Sequence, residues 1–154
     1  GNWLIPALHT TCRTTHKISI SADIQSYKTT GRNDHSKTQN AVTLLQESFS
    51  KTLNDRKEYV PGAPLSTDGS KKAGVLYIVN SLFAMYFRLN TLRLCKNLLR
   101  PVESRNLHEQ GDDGDKVTYR YYVGRLAMFE DQYESAERHL DYALEHCYRG
   151  ARGN

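Results

Sequence analysis

Cys12 and His16 stand four residues apart, and His139, His146 and Cys147 gather near the other end of the chain, so the first chemistry to consider is metal ligation. Zinc needs four ligands, and no second pair lies at ligand spacing from either group. Cys12 therefore reads as a buried structural thiol beside an exposed His16, and His139 and His146 as surface imidazoles sharing a helix face. Gly111-Asp112-Asp113-Gly114-Asp115 offers the oxygen atoms calcium prefers, but not the twelve-residue loop closed by a bidentate glutamate, and reads as a solvated acidic loop. No glycine-rich phosphate cradle, nucleophile elbow or Cys/His catalytic signature occurs in the sequence. The expectation is a protein without a catalytic centre, a cofactor or a metal.

Two groups of cations remain. Arg93, Lys96 and Arg100 form a stripe on a helix face opposite its leucines, and Lys116 and Arg120 form a second with Arg125 nearby. Such stripes are usually solvated, and their sharper reading is a surface for an acidic partner or for phosphates. Tyr119, Tyr121 and Tyr122 could stack on bases, but on one helix they point in different directions, and Tyr122 is expected to pack inward.

The elements that position these residues are all helical. Trp3, Leu4, Ala7, Leu8, Cys12, Ile18 and Ile20 predict a first helix from about Trp3 to Ala22, with Pro6 in its first turn. The polar stretch 26–37 predicts a loop. Ala41, Leu44, Leu45, Ser48, Phe49 and Leu53 recur at helical spacing, and 56–70, with Pro61, Gly62, Pro64 and Gly69, reads as a long surface connection. From Lys72 to Asn90 the chain is apolar on most sides, so that helix belongs at the centre of the domain. Asn90 or Thr91 is the expected cap of the next helix, which carries Cys95, Leu99 and Val102 and forms a hairpin with the central one; Pro101 bends or ends it. After an acidic loop at 106–115, Asp115 is expected to cap a helix from Val117 to Phe129, followed by one from Tyr133 to Tyr148.

The last pair carries a repeat pattern. Val123, Gly124 and Ala127, then Tyr133, Ala136, Leu140 and Ala143, match a tetratricopeptide unit, which needs small residues where two helices touch and large ones around them. A looser copy places Cys95 in the small slot and Leu99 in a large one. The chain thus reads as all-α: stacked antiparallel helix hairpins, one domain over 1–154, forming a short superhelical slab.

At 154 residues and 38% hydrophobic content the chain can bury one core, and its net charge of +4 is too small to identify a partner. Three cysteines without a C-x-x-C pair suit a reducing compartment. The longest apolar run, Gly74 to Phe87, is short of the roughly 20 residues that span a bilayer, so no membrane association is expected. The opening and closing residues read as those of a piece cut from a longer protein.

Several long words carry a family resemblance: Val79-Asn80-Ser81-Leu82-Phe83, Tyr86-Phe87-Arg88-Leu89-Asn90, Leu94-Cys95-Lys96-Asn97-Leu98-Leu99-Arg100 and Thr118-Tyr119-Arg120-Tyr121-Tyr122-Val123-Gly124-Arg125. Through them the chain resembles PCI-domain proteins of the mRNA-export and COP-nine signalosome-associated branch, over most of its length apart from the two longer loops. The resemblance implies the N-terminal helical-repeat part of a scaffold subunit, with a winged-helix part absent from this chain. It also implies a small acidic Sem/DSS-type partner, a larger Sac/GANP-type helical partner, nucleic acid reached through the full-length complex, and a nuclear location, with a cytoplasmic pool allowed. The connection at 56–70 is longer than the family's.

The leading expectation is a non-enzymatic scaffold that presents surface to protein partners. Its alternatives are a helical repeat that binds RNA directly through Arg93, Lys96, Arg100, Lys116 and Arg120, and a stand-alone tetratricopeptide module holding a peptide in its groove. The RNA reading predicts filter retention of RNA at low salt that falls steeply as salt rises. An absence of retention at low salt removes it.

Overall fold

The computed structural model describes residues 2–32, 34–60, 66 and 69–148. Among these the chain is all-helical, without a strand. Six α-helices follow in order: α1 (Ile5–Thr30), α2 (Ser36–Leu53), α3 (Val75–Arg88), α4 (Cys95–Ser104), α5 (Asp113–Phe129) and α6 (Tyr133–His146). Short 3-10 turns at Asn2–Leu4, Lys71–Gly74 and Leu92–Leu94 lead into α1, α3 and α4, and another at Leu107–Glu109 precedes α5. No helix among the described residues is long and apolar enough to cross a membrane.

α3 lies at the centre, as its all-round hydrophobicity requires. Val75, Leu76, Ile78, Val79, Leu82, Phe83, Met85 and Tyr86 are all essentially inaccessible, and burial of each large apolar side chain contributes about 1.5–3 kcal/mol. Helices α1, α2, α4 and α5 cover it. On the α1 side His9 stacks on Tyr77 with ring centres 3.9 Å apart. On the α2 side the Gln46 side-chain amide donates to the Tyr86 hydroxyl at 2.6 Å. Against α5, Phe83 meets Tyr119 and Tyr122, and Phe87 meets Tyr122 and Phe129, with ring centres 5.5–6.1 Å apart. Of the three tyrosines of α5 the fully buried one is Tyr119, which the spacing did not single out; Tyr122 is half-buried and Tyr121 is exposed.

α1 differs most from expectation. It runs eight residues beyond Ala22, through the first five residues of the predicted 26–37 loop, and ends at Gly31, whose left-handed conformation (φ 69°) lets its N–H donate to the Tyr27 carbonyl. Its threonines do not weaken it: Thr10, Thr11, Thr29 and Thr30 return their hydroxyls to carbonyls one turn earlier. Nor is the buried line the apolar one. Trp3, Leu4 and Ile18 are exposed, whereas Cys12, Ser19 and Asp23 are buried. Leu44 on α2 is likewise exposed, and Val42 and Thr38 take inward positions.

The buried Asp23 explains the long helix. Its carboxylate accepts from the backbone N–H of Lys37 at 3.0 Å, from the N–H of Thr38 at 2.9 Å and from the Thr38 hydroxyl at 2.5 Å. A residue near the end of α1 thus caps the start of α2, whose own N-cap, His35, makes no side-chain cap bond. Asp55 serves the turn at Lys71–Gly74 similarly, accepting from the Lys71 N–H at 2.8 Å.

The acidic loop is also shorter than expected. α5 begins at Asp113, with the Lys116 N–H already donating to the Asp112 carbonyl at 3.1 Å. Asp115 is therefore inside the first turn rather than at the cap. Neither Asn90 nor Thr91 caps α4: Asn90 takes a left-handed turn (φ 54°), and Thr91 makes no side-chain cap bond. α4 continues through Pro101 to Ser104.

Burial alone would push the Asp23 carboxyl up, but the hydrogen bonds from Thr38 and Lys37, with nearby His35, hold it below the usual carboxylate range. Its stabilisation is therefore complete above the unfolded value of about 3.9 and is lost as pH falls through the folded one. Asp23→Ala is expected to cost about 2 kcal/mol at pH 7, since it removes a cap and strands buried donors. Urea denaturation of wild type and Asp23→Asn checks the pH sign, with the gap between them narrowing below about pH 4.

Candidate partner-binding surface

The five cations expected to mark a surface divide into two environments. Arg93, Lys96 and Arg100 are exposed along the turn before α4 and α4 itself, and they line a groove of about 700 Å³ together with Leu99 and, from the end of α5, Phe129. The groove exists because α4 and α5 both lean on α3 while hardly touching each other. Lys96 pairs with Glu130 across it at 3.0 Å.

Lys116 and Arg120 are instead built into the fold. Lys116 bonds Asp113 at 3.1 Å, and this bond holds its ammonium above its ordinary value. Arg120 donates to Glu109 at 2.7 Å, lies 3.3 Å from His139 Nδ1, and places its guanidinium 5.1 Å from the centre of the Tyr142 ring. It ties the turn before α5 to both helices of the last hairpin. Arg125 covers Phe87 at 4.6 Å and Tyr121 at 5.5 Å. These five residues do not form one track.

The small residues of the repeat pattern lie along the α5–α6 seam. Ala136 and Ala143 are buried and Leu140 is half-buried. A methyl group at Gly124 would come within 2.7 Å of Leu140 Cγ and 3.3 Å of the Ala136 carbonyl. The helices run antiparallel, for Arg120 meets His139 and Tyr142 while Gly124 meets Leu140 and Ala136. Cys95 is fully buried at the start of α4, and Leu99 is half-buried one turn later.

The candidate ligands separate as well. Among the described residues no three of His, Cys, Asp and Glu gather so as to hold a metal. Burial pushes the Cys12 thiol up to about 11 and the Cys95 thiol to about 12, so both stay protonated at neutral pH. His16 is half-buried rather than exposed; burial, then the charge of Arg88, lowers its pKa. His139 is also half-buried, and burial followed by the charges of Arg120, Arg138 and His108 lowers its pKa. His146 is exposed and stacks on Tyr142 at 4.1 Å. Asp115 is pushed up to about 6 by burial and by the neighbouring Asp112.

What sequence reasoning did not find is the apolar surface of the last hairpin. Tyr121, Met128, Phe129, Tyr133 and Leu144 are all exposed, Leu144 by 74%. Their spacing resembles that of core residues, and no signal within the chain marks them as uncovered.

Gly124→Ala gains about 1 kcal/mol of helix propensity but loses about 1–3 kcal/mol to overpacking, for a net destabilisation of about 1 kcal/mol. A larger side chain such as Leu costs several times more. Combining Gly124→Ala with Leu140→Ala is expected to cost less than the sum of the two single changes, because the second removes the atoms the first strikes. Strict additivity in urea denaturation would show that the two positions do not touch.

Comparison with known proteins adds identity to this geometry. PCI domain-containing protein 2 of Xenopus laevis is 32% identical over 153 residues, spanning 99% of this chain and 37% of the relative. The Danio rerio protein of the same name is 45% identical over 87 residues, 56% of this chain and 22% of the relative. A CSN12 homolog of Neurospora crassa is 30% identical over 176 residues, 99% of this chain and 36% of the relative. The matched part of this chain thus spans between about a fifth and little more than a third of these curated relatives. No family model matches it, and no solved structure does. The likeness nevertheless runs through every helix described above, and the chain belongs to the PCI-domain proteins, in the branch of PCI domain-containing protein 2 and the CSN12 homologs.

Proposed function

We propose that this chain is a helical-repeat part of a scaffold subunit in a PCI-containing complex, working by presenting surface to other protein subunits and performing no chemistry of its own. The observation that carries the reading is that the large apolar side chains Tyr121, Met128, Phe129, Tyr133 and Leu144 of the last hairpin are exposed although the seam between its two helices is closed. Apolar surface of that kind is what protein interfaces cover. The CSN12 name of several relatives supports membership of a multisubunit assembly.

The family resemblance extends the proposal. The full-length protein acts in mRNA export or transcript processing, in the nucleus, beside a small acidic Sem/DSS-type subunit and a larger Sac/GANP-type helical subunit. The repeat described here leads into a winged-helix part elsewhere in the protein. Direct RNA binding by this chain has less support, since Lys116 and Arg120 are engaged by Asp113 and Glu109.

The test is affinity purification of the full-length protein, tagged at its own locus, with identification of co-purifying subunits. A stoichiometric set containing one small acidic and one large helical protein is expected, together with accumulation of polyadenylated RNA in the nucleus on depletion. Recovery of the protein alone, or of a single enzyme's substrate, overturns the scaffold reading; normal export on depletion overturns the export reading.

A further inference from the structure

A cavity of about 580 Å³ opens where the start of α1, the connection between α2 and α3 and the residues just before α5 meet, a volume in the range of small-ligand sites. Its walls are held by contacts between distant parts of the chain. The Tyr59 hydroxyl accepts from the Gly111 N–H at 3.2 Å, and the Asn2 side-chain oxygen accepts from the Ser66 N–H at 2.7 Å. Gly69 lies so close to the Asn2 side chain that a methyl group there would strike it. A methyl group on Gly111, which is in a left-handed conformation (φ 102°), would come within 3.3 Å of the Ala73 carbonyl.

The lining divides by chemistry. Ile5, Pro6, Val60 and Ala73 are apolar, and Val60 is 62% exposed. Glu58 and Asp112 bring carboxylates, and neither carboxylate makes a hydrogen bond or ion pair among the described residues. No lysine or arginine is among the described lining residues, and the nearby Lys57 and Lys71 act on Asp55. His9 lines the cavity with its ring stacked on Tyr77, and its Nε2 is buried without a hydrogen-bond partner among the described residues. Burial lowers the His9 pKa although Asp112 pulls it up, and so works against a positive charge on the imidazole that could balance the two carboxylates.

An acidic cavity with an apolar wall suits a cation carried on an apolar stem. An anion would meet the carboxylates directly, and a wholly apolar ligand would strip them of water without replacing it. A guanidinium fits better than an ammonium, because its planar fork bonds a carboxylate through two N–H groups and its face stacks on an aromatic ring such as that of Tyr59.

We propose that this cavity is a binding site for an alkylguanidinium group, its head on Glu58 and Asp112 and its stem along Ile5, Pro6 and Val60. An arginine side chain of another polypeptide and a free alkylguanidine offer the same chemistry, and the test separates them. The inference goes beyond the scaffold reading and does not rest on it.

The probes are agmatine and an acetylated, amidated tripeptide of arginine between two glycines, each titrated against the isotope-labelled protein while heteronuclear NMR follows the amide signals of His9, Gly111 and Asp112. Saturable shifts at these amides are expected. Equal binding of the two probes assigns the site to a free guanidinium, and binding of the tripeptide alone assigns it to arginine in a polypeptide. The same tripeptide with citrulline, which keeps the shape of arginine and loses its charge, should give no saturable shift. Glu58→Gln and Asp112→Asn should each weaken binding, and the double variant should raise Kd about fivefold or more. Both side chains are exposed, and that of Asp112 makes no cap bond to α5, so thermal unfolding should stay unchanged. Four results overturn the proposal: no saturable shift with either guanidinium, shifts confined to amides away from the cavity, citrulline binding as tightly as arginine, or a double variant that binds like wild type.

Discussion

A helix that is apolar around nearly its whole circumference cannot stand at a surface, and covering α3 is the constraint from which the rest of this architecture follows. Its fourteen residues place side chains toward α1, α2, α4 and α5 at once. The neighbours are selected by complementary contacts: a stacked His9 on one side, the Gln46 amide for the Tyr86 hydroxyl on another, and a row of aromatic rings from α5 on a third. Each side chain removed from water contributes only a few kcal/mol, yet together they outweigh the loss of backbone freedom that ordering the surrounding helices entails.

The covering helices are organised by two local devices. At the first hairpin the organising group is polar: buried Asp23 reaches from α1 to the orphan donors at the start of α2, fixing the angle at which the pair closes. At the last hairpin it is steric, because the missing side chain at Gly124 lets Leu140 and the Ala136 backbone approach. The first device depends on the ionised state of one carboxyl and the second does not.

The surface available for partners is what these packing choices leave uncovered. α4 is short, meets α3 over a small area and hardly touches α5, so a groove opens between them, lined by Arg93, Lys96 and Arg100 and by Leu99, Leu126 and Phe129 together with Glu103 and Glu130. The α5–α6 pair spends its small residues on its own seam and turns Tyr133 and Leu144 outward. Inside the fold, burial pushes the Cys12 and Cys95 thiols up and lowers the pKa values of the half-buried His16 and His139.

Much of this is written in the order of the residues. The period of 3.6 along α2, α3, α5 and α6, the unbroken apolarity of α3 and the glycine and alanines at Gly124, Ala136 and Ala143 determine an all-helical chain with a central helix and a tight final hairpin, because each is a property of one element and its own faces. The length of α1, the buried line through Ser19 and Asp23, the early start of α5 and the engagement of Arg120 are decided only in three dimensions. The buried line and the engagement of Arg120 depend on polar groups meeting partners eleven or more residues away: Lys37 and Thr38 for Asp23, Glu109 and His139 for Arg120. Periodicity reports which way a side chain points along its own helix. Whether that direction ends in water, in a groove or on another helix is set by how the helices pack, and so the split of the five cations into two environments could be read only from the folded chain.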